Sequence, residues 1–256
     1  MKQALLAVSF GTSVPSARES INRVEQALRE TLPDYDFFRA FTSPTIRRIL
    51  AKRGEIIQST EEALEQLADM GYEDVIVQPT HLLCGIEYDR IQETVRAVEG
   101  SFSRLTLGKP LAASDRDLRV LADCAAAHFL PEEGALLLMG HGTSHFANTV
   151  YPALQTIFRL SGVQNAFVGT VEGWPTLDEM IGVLKQGGYR SVTLAPLMLV
   201  AGDHACNDMA GDEEDSWKSR LEKEGFAVHC RLEGLGLFPE IQALYRLHLE
   251  ELVHDL

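Results

Sequence analysis

One pattern occurs twice in this chain. Ala4-Leu5-Leu6-Ala7-Val8-Ser9-Phe10-Gly11-Thr12-Ser13 and Ala135-Leu136-Leu137-Leu138-Met139-Gly140-His141-Gly142-Thr143-Ser144 lie 131 positions apart, and each is an apolar run that ends in Gly-Thr-Ser. Such a continuous apolar run, short and bounded by turn residues, marks a strand buried on both faces of a parallel sheet. At the same offset Pro44-Thr45 meets Pro175-Thr176, and Phe41 falls opposite Glu172. Further on, Gly71-Tyr72 meets Gly188-Tyr189 at an offset of 117, which also pairs Pro79 with Pro196, Gly85 with Gly202 and Glu87 with His204. Three segments in register with one change of length define an internal duplication. The shortening is assigned to the helix at Ser59-Thr60-Glu61-Glu62, a capping-box start that the second half is expected to lack.

Between the apolar runs the spacing turns helical. Ala17, Ile21, Val24 and Leu28 follow Pro15, which is expected at a first helical position. Strands are expected around Leu5–Ser9, Asp36–Phe41, Val75–Pro79 and Leu105–Leu107, and in the second half around Ala135–Gly140, Phe167–Val171, Pro196 and Val228–Arg231. Strands alternating with helices imply parallel sheets with right-handed crossovers. The expected fold is α/β, with two similar domains, each a four-stranded parallel sheet flanked by helices, facing each other across a cleft. The polar, turn-forming Pro131-Glu132-Glu133-Gly134 sets the expected boundary, giving domains 1–130 and 131–256. Duplicated domains often exchange terminal helices, so the boundary in space is free to differ from that in sequence.

Composition narrows the function classes. With 23 Lys and Arg against 37 Asp and Glu, the formal charge of −14 is wrong for a general nucleic-acid binder, which needs clustered cations against phosphate. No apolar run approaches the roughly 18 residues that span a bilayer. The apolar stretch at the start is too short for a signal peptide and has its twin in mid-chain, so it is read as a first strand and the protein as cytoplasmic. Cys84, Cys124, Cys206 and Cys230 include no Cys-x-x-Cys pair, and are read as ordinary thiols of a reducing compartment.

In an open α/β sheet ligands bind at the carboxyl ends of the strands. The duplication places His141 after the first strand of the second half, Glu172 after its second and His204 after its third. Alone, each of these residue types serves as a cap or a solvated surface group. Together, two imidazoles and a carboxylate suit a borderline divalent ion such as cobalt, nickel, iron or zinc, with positions left open. The first half is expected to present Phe10, Phe41 and Glu87 at the matching positions: two aromatic rings that form a wall, and a carboxylate able to take protons. Tyr88 and Trp174 add ring surface, and His81 and His145 are further candidates to line the cleft. Gly11-Thr12-Ser13 and Gly142-Thr143-Ser144 precede helices, whose free N–H groups attract carboxylates. They lack the Gly-rich, Lys-bearing form of a nucleotide-phosphate loop.

Gly140-His141-Gly142-Thr143-Ser144-His145, Val171-Glu172-Gly173, Gln78-Pro79-Thr80-His81 with Gly85-Ile86-Glu87-Tyr88, and Ala195-Pro196-Leu197 with Gly202-Asp203-His204 resemble the single-subunit, ATP-independent tetrapyrrole chelatases. Within them the resemblance is strongest to the sirohydrochlorin cobaltochelatases of anaerobic cobalamin synthesis, and it covers essentially the whole chain. It implies a bilobal chelatase-like duplication that inserts Co2+ into sirohydrochlorin, with the metal as substrate and no prosthetic group. It implies metal ligands at His141, Glu172 and His204 and a site carboxylate at Glu87. Fe2+ or Ni2+ would fit the same donors, and relatives that insert iron make sirohaem. A histidine phosphatase would place Arg before its acceptor histidine, where this chain has Gly140. A non-enzymatic tetrapyrrole or metal carrier is the other class, which turnover separates from a chelatase. Oligomeric state is not readable from the residues.

Overall fold

The computed structural model describes residues 2–254. In chain order the elements are β1 (Gln3–Ser9), α1 (Arg18–Thr31), β2 (Asp36–Phe41), α2 (Pro44–Lys52), α3 (Thr60–Asp69), β3 (Asp74–Pro79), α4 (Ile86–Val98), β4 (Arg104–Leu107) and α5 (Asp115–Phe129). They continue with β5 (Ala135–Gly140), α6 (Val150–Leu160), β6 (Ala166–Thr170), α7 (Leu177–Gln186), β7 (Ser191–Pro196), α8 (Trp217–Lys223), β8 (Ala227–Cys230) and α9 (Pro239–His254). The strands form two parallel four-stranded sheets of the same order, β2-β1-β3-β4 and β6-β5-β7-β8. β5 is buried along its whole length and β1 along all but its first residue, which is why both read as unbroken apolar runs. Pro15 lies three residues ahead of α1, in the turn that leads into it, and not at its first position.

Two compact units result. One comprises the chain up to Ala113 together with the part from Pro239 on, and the other runs from Ser114 to Phe238. The expected break at 130/131 is therefore displaced, and the terminal helices explain it. α5 follows β4 in sequence but packs on α6 in the second unit, while α9 follows β8 but packs on α1 in the first. Within the first unit Tyr245 of α9 donates to the Thr80 carbonyl at 2.8 Å, and Lys109 pairs with Glu251 at 2.9 Å. Within the second, His128 of α5 stacks on Phe238 at 3.9 Å. Each unit keeps its own core: Leu6, Val8, Leu64, Leu67, Val75 and Ile91 in the first, and Leu137, Met139, Leu184, Leu194, Met209 and Trp217 in the second.

The backbone register corrects two equivalences. Ser9 pairs with Phe41 as Gly140 pairs with Thr170, and beyond the strands Ser43 N–H reaches Phe10 O as Glu172 N–H reaches His141 O. The counterpart of Glu172 is thus Ser43, not Phe41, which lies inside β2 with its ring fully buried. The second unit also retains the capped helix. Thr176 and Glu179 form a capping box at the start of α7 as Ser59 and Glu62 do at α3. Phe41 N–H donates to Gln58 O as Thr170 N–H donates to Pro175 O. The element lacking in the second unit is α2, for which Gly173 and Trp174 substitute. Among the described residues no helix is long and apolar enough to cross a membrane.

Candidate metal centre

The turn after β5 is built from below by Tyr151 of α6. This fully buried ring lies so close under Gly140 that a Cβ there would come within 2.2 Å of it, and its hydroxyl accepts from Gly142 N–H at 3.2 Å. Burial pushes the Tyr151 phenol up from its ordinary range, so it stays protonated. Gly142 has φ +82°, a left-handed conformation, and a Cβ there would stand 2.4 Å from Gly173 N. The turn thereby passes close against the loop after β6 and leaves His141 half-exposed between two constrained residues.

Glu172 reaches the same place by extension of the ladder. Val171 N–H donates to Gly140 O at 3.0 Å and Glu172 N–H to His141 O at 2.8 Å, so the parallel pairing continues two residues past β6. The Glu172 Oε2 atom lies 3.9 Å from His141 Nδ1. His204 arrives from the loop after β7, two residues past Gly202, and its ring meets the His141 ring edge-on at 4.7 Å and 87°. The three expected ligands are therefore gathered at one strand edge of one unit. Their donor atoms do not all come within 4.8 Å of one another. His141 Nδ1–H donates to Gly142 O at 2.9 Å and His204 Nδ1–H to Asp208 Oδ2 at 2.5 Å, so both rings keep Nε2 available.

The other expected residues divide by what they touch. Thr12 and Thr143 do the same structural work: their Oγ1 atoms accept from Val14 N–H at 3.2 Å and His145 N–H at 3.1 Å and close matching turns. His145 Nδ1 accepts from Ala147 N–H at 3.1 Å and caps the short helical turn that follows. Ser13 gives its carbonyl to Arg53, and Gly11 has φ +95°, packed over the Phe41 ring. Phe10, the counterpart of His141, is 48% exposed, which suits a contact wall. Glu87 pairs with Arg90 at 2.6 Å, and the Tyr88 hydroxyl donates to Gly108 O at 3.3 Å. His81 lies against Thr42 Oγ1 at 3.3 Å, and its buried Nδ1 has no hydrogen-bond partner. Burial pushes its pKa down to about 4, against the opposing pull of Glu87, so the ring is neutral near pH 7.

Three residues at this edge escape the sequence reading: Tyr151, Asp208 and Asn148. Asn148 accepts from Thr143 N–H at 3.1 Å and donates to Trp174 O at 2.6 Å, tying the His141 turn to the Glu172 loop. Only the His204/Asp208 spacing of four residues carried a signal for any of them. Chemically, two imidazoles and one carboxylate are donor types that suit a borderline divalent ion, unlike the all-oxygen sets that hold magnesium or calcium.

The fold is shared with known proteins over its full length. SirB from Bacillus subtilis, solved with Fe3+, superposes with a TM-score of 0.70 at 18% identity, covering 100% of this chain and 97% of that one. DR2241 from Deinococcus radiodurans, a multi-domain protein with structural similarity to chelatases, superposes at 0.60 and 18% identity over 96% of this chain and 54% of its own. These neighbours share the fold, a duplicated α/β arrangement.

The chain belongs to the cobalt chelatase (CbiK) family, whose sequence model matches residues 3–254, and is a metal-inserting enzyme. The sirohydrochlorin cobaltochelatase of Salmonella typhimurium is 42% identical over 98% of this chain and 96% of its own length. Sirohydrochlorin cobaltochelatase CbiKC of Nitratidesulfovibrio vulgaris is 34% identical over 100% of this chain and 92% of its own.

Proposed function

We propose that this protein inserts Co2+ into sirohydrochlorin, a step of cobalamin synthesis, with His141, Glu172 and His204 holding the incoming ion. The observation that supports the ligand set is the convergence of two imidazole rings 4.7 Å apart with a carboxylate oxygen 3.9 Å from one of them. Family membership and the two relatives named for this reaction support the substrate. The metal is consumed as a substrate, and no prosthetic group takes part. Fe2+ and Ni2+ are the competing ions that the same donors accommodate. We place the reaction in the cytoplasm, in keeping with four cysteines held as thiols.

Insertion removes water from the ion and two N–H protons from the ring while metal–nitrogen bonds form. Three protein donors replace part of the hydration shell and leave positions for the ring nitrogens. As the ion passes to the ring, the Nε2 of His141 loses its partner and becomes free to accept a proton, while its Nδ1–H stays anchored on Gly142 O. Glu87, at the equivalent strand end of the first unit, is assigned the second proton. Neutral His81, Tyr88 and half-exposed Phe10 supply wall contacts to the macrocycle, and the Gly11-Thr12-Ser13 turn presents backbone N–H groups to its carboxylates, whereas those of Thr143 and His145 are engaged within their own turn, which lines the site. Incubation with sirohydrochlorin and each of Co2+, Fe2+ and Ni2+, followed by ring absorption, tests this reading. Cobalt insertion lost in Glu172→Ala, with the fold retained, is the expected result, and an unaltered rate would refute the ligand assignment.

A further inference from the structure

His204 opens a turn wound differently from its counterpart. Residues Ala205–Met209 form a π turn, with Ala210 N–H reaching Ala205 O at 3.2 Å, whereas α4 runs as an ordinary α-helix from the equivalent Gly85. The consequence is one extra residue. In the first unit the buried apolar residue falls four positions after Glu87, at Ile91; in the second it falls five after His204, at Met209. A regular helix would have sent position 208 into the core as it sends Ile91. The π turn sends Met209 there instead and leaves Asp208 at the surface, its side chain 45% exposed, with Oδ2 at 2.5 Å from His204 Nδ1. Asn207 donates to Asp203 Oδ1 at 2.8 Å across the same turn and secures its winding. π turns of this kind recur where a side chain must be re-aimed at a functional site.

We propose that Asp208 is a positioning residue for metal capture: it holds His204 as the Nδ1–H tautomer with Nε2 directed to the incoming ion. This rests on the reading of His204 as a ligand. A carboxylate can only accept, so the shared hydrogen resides on Nδ1 and the lone pair on Nε2. Neutral imidazole in water favours the opposite tautomer, and ligating histidines are set by the partner of their second nitrogen. His141 is set in the same sense by a carbonyl, Gly142 O. The carboxylate adds what a carbonyl cannot, a negative charge that strengthens the hydrogen bond from Nδ1–H and fixes the ring more firmly.

The test uses the full chain with two readouts: 15N NMR of the metal-free imidazoles, and calorimetry with Co2+ alone. Wild type is expected to show His204 as Nδ1–H. Asp208→Ala should move it toward Nε2–H and weaken Co2+ binding by about 10–100-fold. Asp208→Asn, whose amide oxygen still accepts, should keep the tautomer and recover part of the affinity, and serves if the alanine variant fails to fold. Unchanged tautomer and affinity in Asp208→Ala, with affinity lost in His204→Ala, would overturn the role of Asp208 alone. Wild-type affinity in His204→Ala would overturn the ligand reading, and the proposal with it.

Discussion

In the first unit the strand-end positions carry Phe10, Ser43 and Glu87; in the second they carry His141, Glu172 and His204, on the same sheet order and with the same backbone hydrogen bonds. The scaffolds match nearly residue for residue, even to the threonine turns at Thr12 and Thr143. At the carboxyl edge the differences are the side chains, the α2 insertion and the π turn. A duplicated scaffold therefore fixes where loops emerge, and a handful of substitutions decides which copy brings two imidazoles and a carboxylate to one edge. The opposite edge diverges too. Asp74 and Arg104 are direct neighbours in β3 and β4, and Ser191 and Ala227 occupy the same register in β7 and β8.

The largest effect is expected from paired substitutions at the first strand ends. His141→Ala should weaken Co2+ binding by more than the about 10–100-fold that an outer partner costs, and abolish insertion. Phe10→Ala should leave Co2+ affinity at the wild-type value and lower affinity for the macrocycle, both read by titration. Equal loss of metal affinity in the two variants would contradict the division between units.

Next comes the Asp74 network. This carboxylate is fully buried, bonded to Arg104, Gln3 and Tyr35, and held below its ordinary pKa by those bonds, which outweigh its burial. Asp74→Ser, the residue of the second unit, should cost about 3 kcal/mol by urea unfolding, because it strands a partly covered guanidinium. Asp74→Ser with Arg104→Ala should regain at least about 1 kcal/mol. A double variant as unstable as the single one would show that the pair is not what holds this edge.

A smaller effect follows from His81, whose counterpart is Met198: Leu111 N–H donates to His81 O as Leu235 N–H donates to Met198 O, both at 2.9 Å. The folded pKa is pushed from 6.5 to about 4. Between those values the unfolded chain binds a proton that the folded one does not. Stability contributed by the neutral ring is complete above pH 6.5, declines as pH falls toward 4, and changes no further below. The swing is about 1–3 kcal/mol for a partly accessible ring. His81→Met should flatten unfolding free energy across this window, and parallel pH curves would exclude the shift. The smallest effect is at Arg90, whose pairing with Glu87 is open to solvent. Arg90→Ala should shift stability by less than about 0.5 kcal/mol.

The sheets were readable because β1 and β5 are buried on both faces and leave unbroken apolar runs. The three ligand candidates were readable because equivalent strand ends follow from equivalent strands. The two-residue slip at β2 and β6 was not. The shared Pro-Thr at Pro44 and Pro175 aligns by identity, but Pro44 starts a helix whereas Pro175 precedes one, and only the hydrogen-bond ladder separates these roles. Nor could amphipathic spacing say which sheet α5 and α9 cover, since either apolar face suits either surface. Asp208 was hidden because a His and an Asp four residues apart on a helix are ordinarily a surface pair, and winding by one extra residue leaves no mark in composition.

The exchange of α5 and α9 also sets an order of assembly at the ribosome. The first unit waits for Ile241, Leu244, Tyr245 and Leu249, which follow the whole of the second unit in sequence, before its core is covered. The unit from Ser114 to Phe238 is continuous and has all its parts earlier, although it starts later. The nascent chain thus completes the unit that carries His141, Glu172 and His204 first, while the amino-terminal sheet still lacks α9.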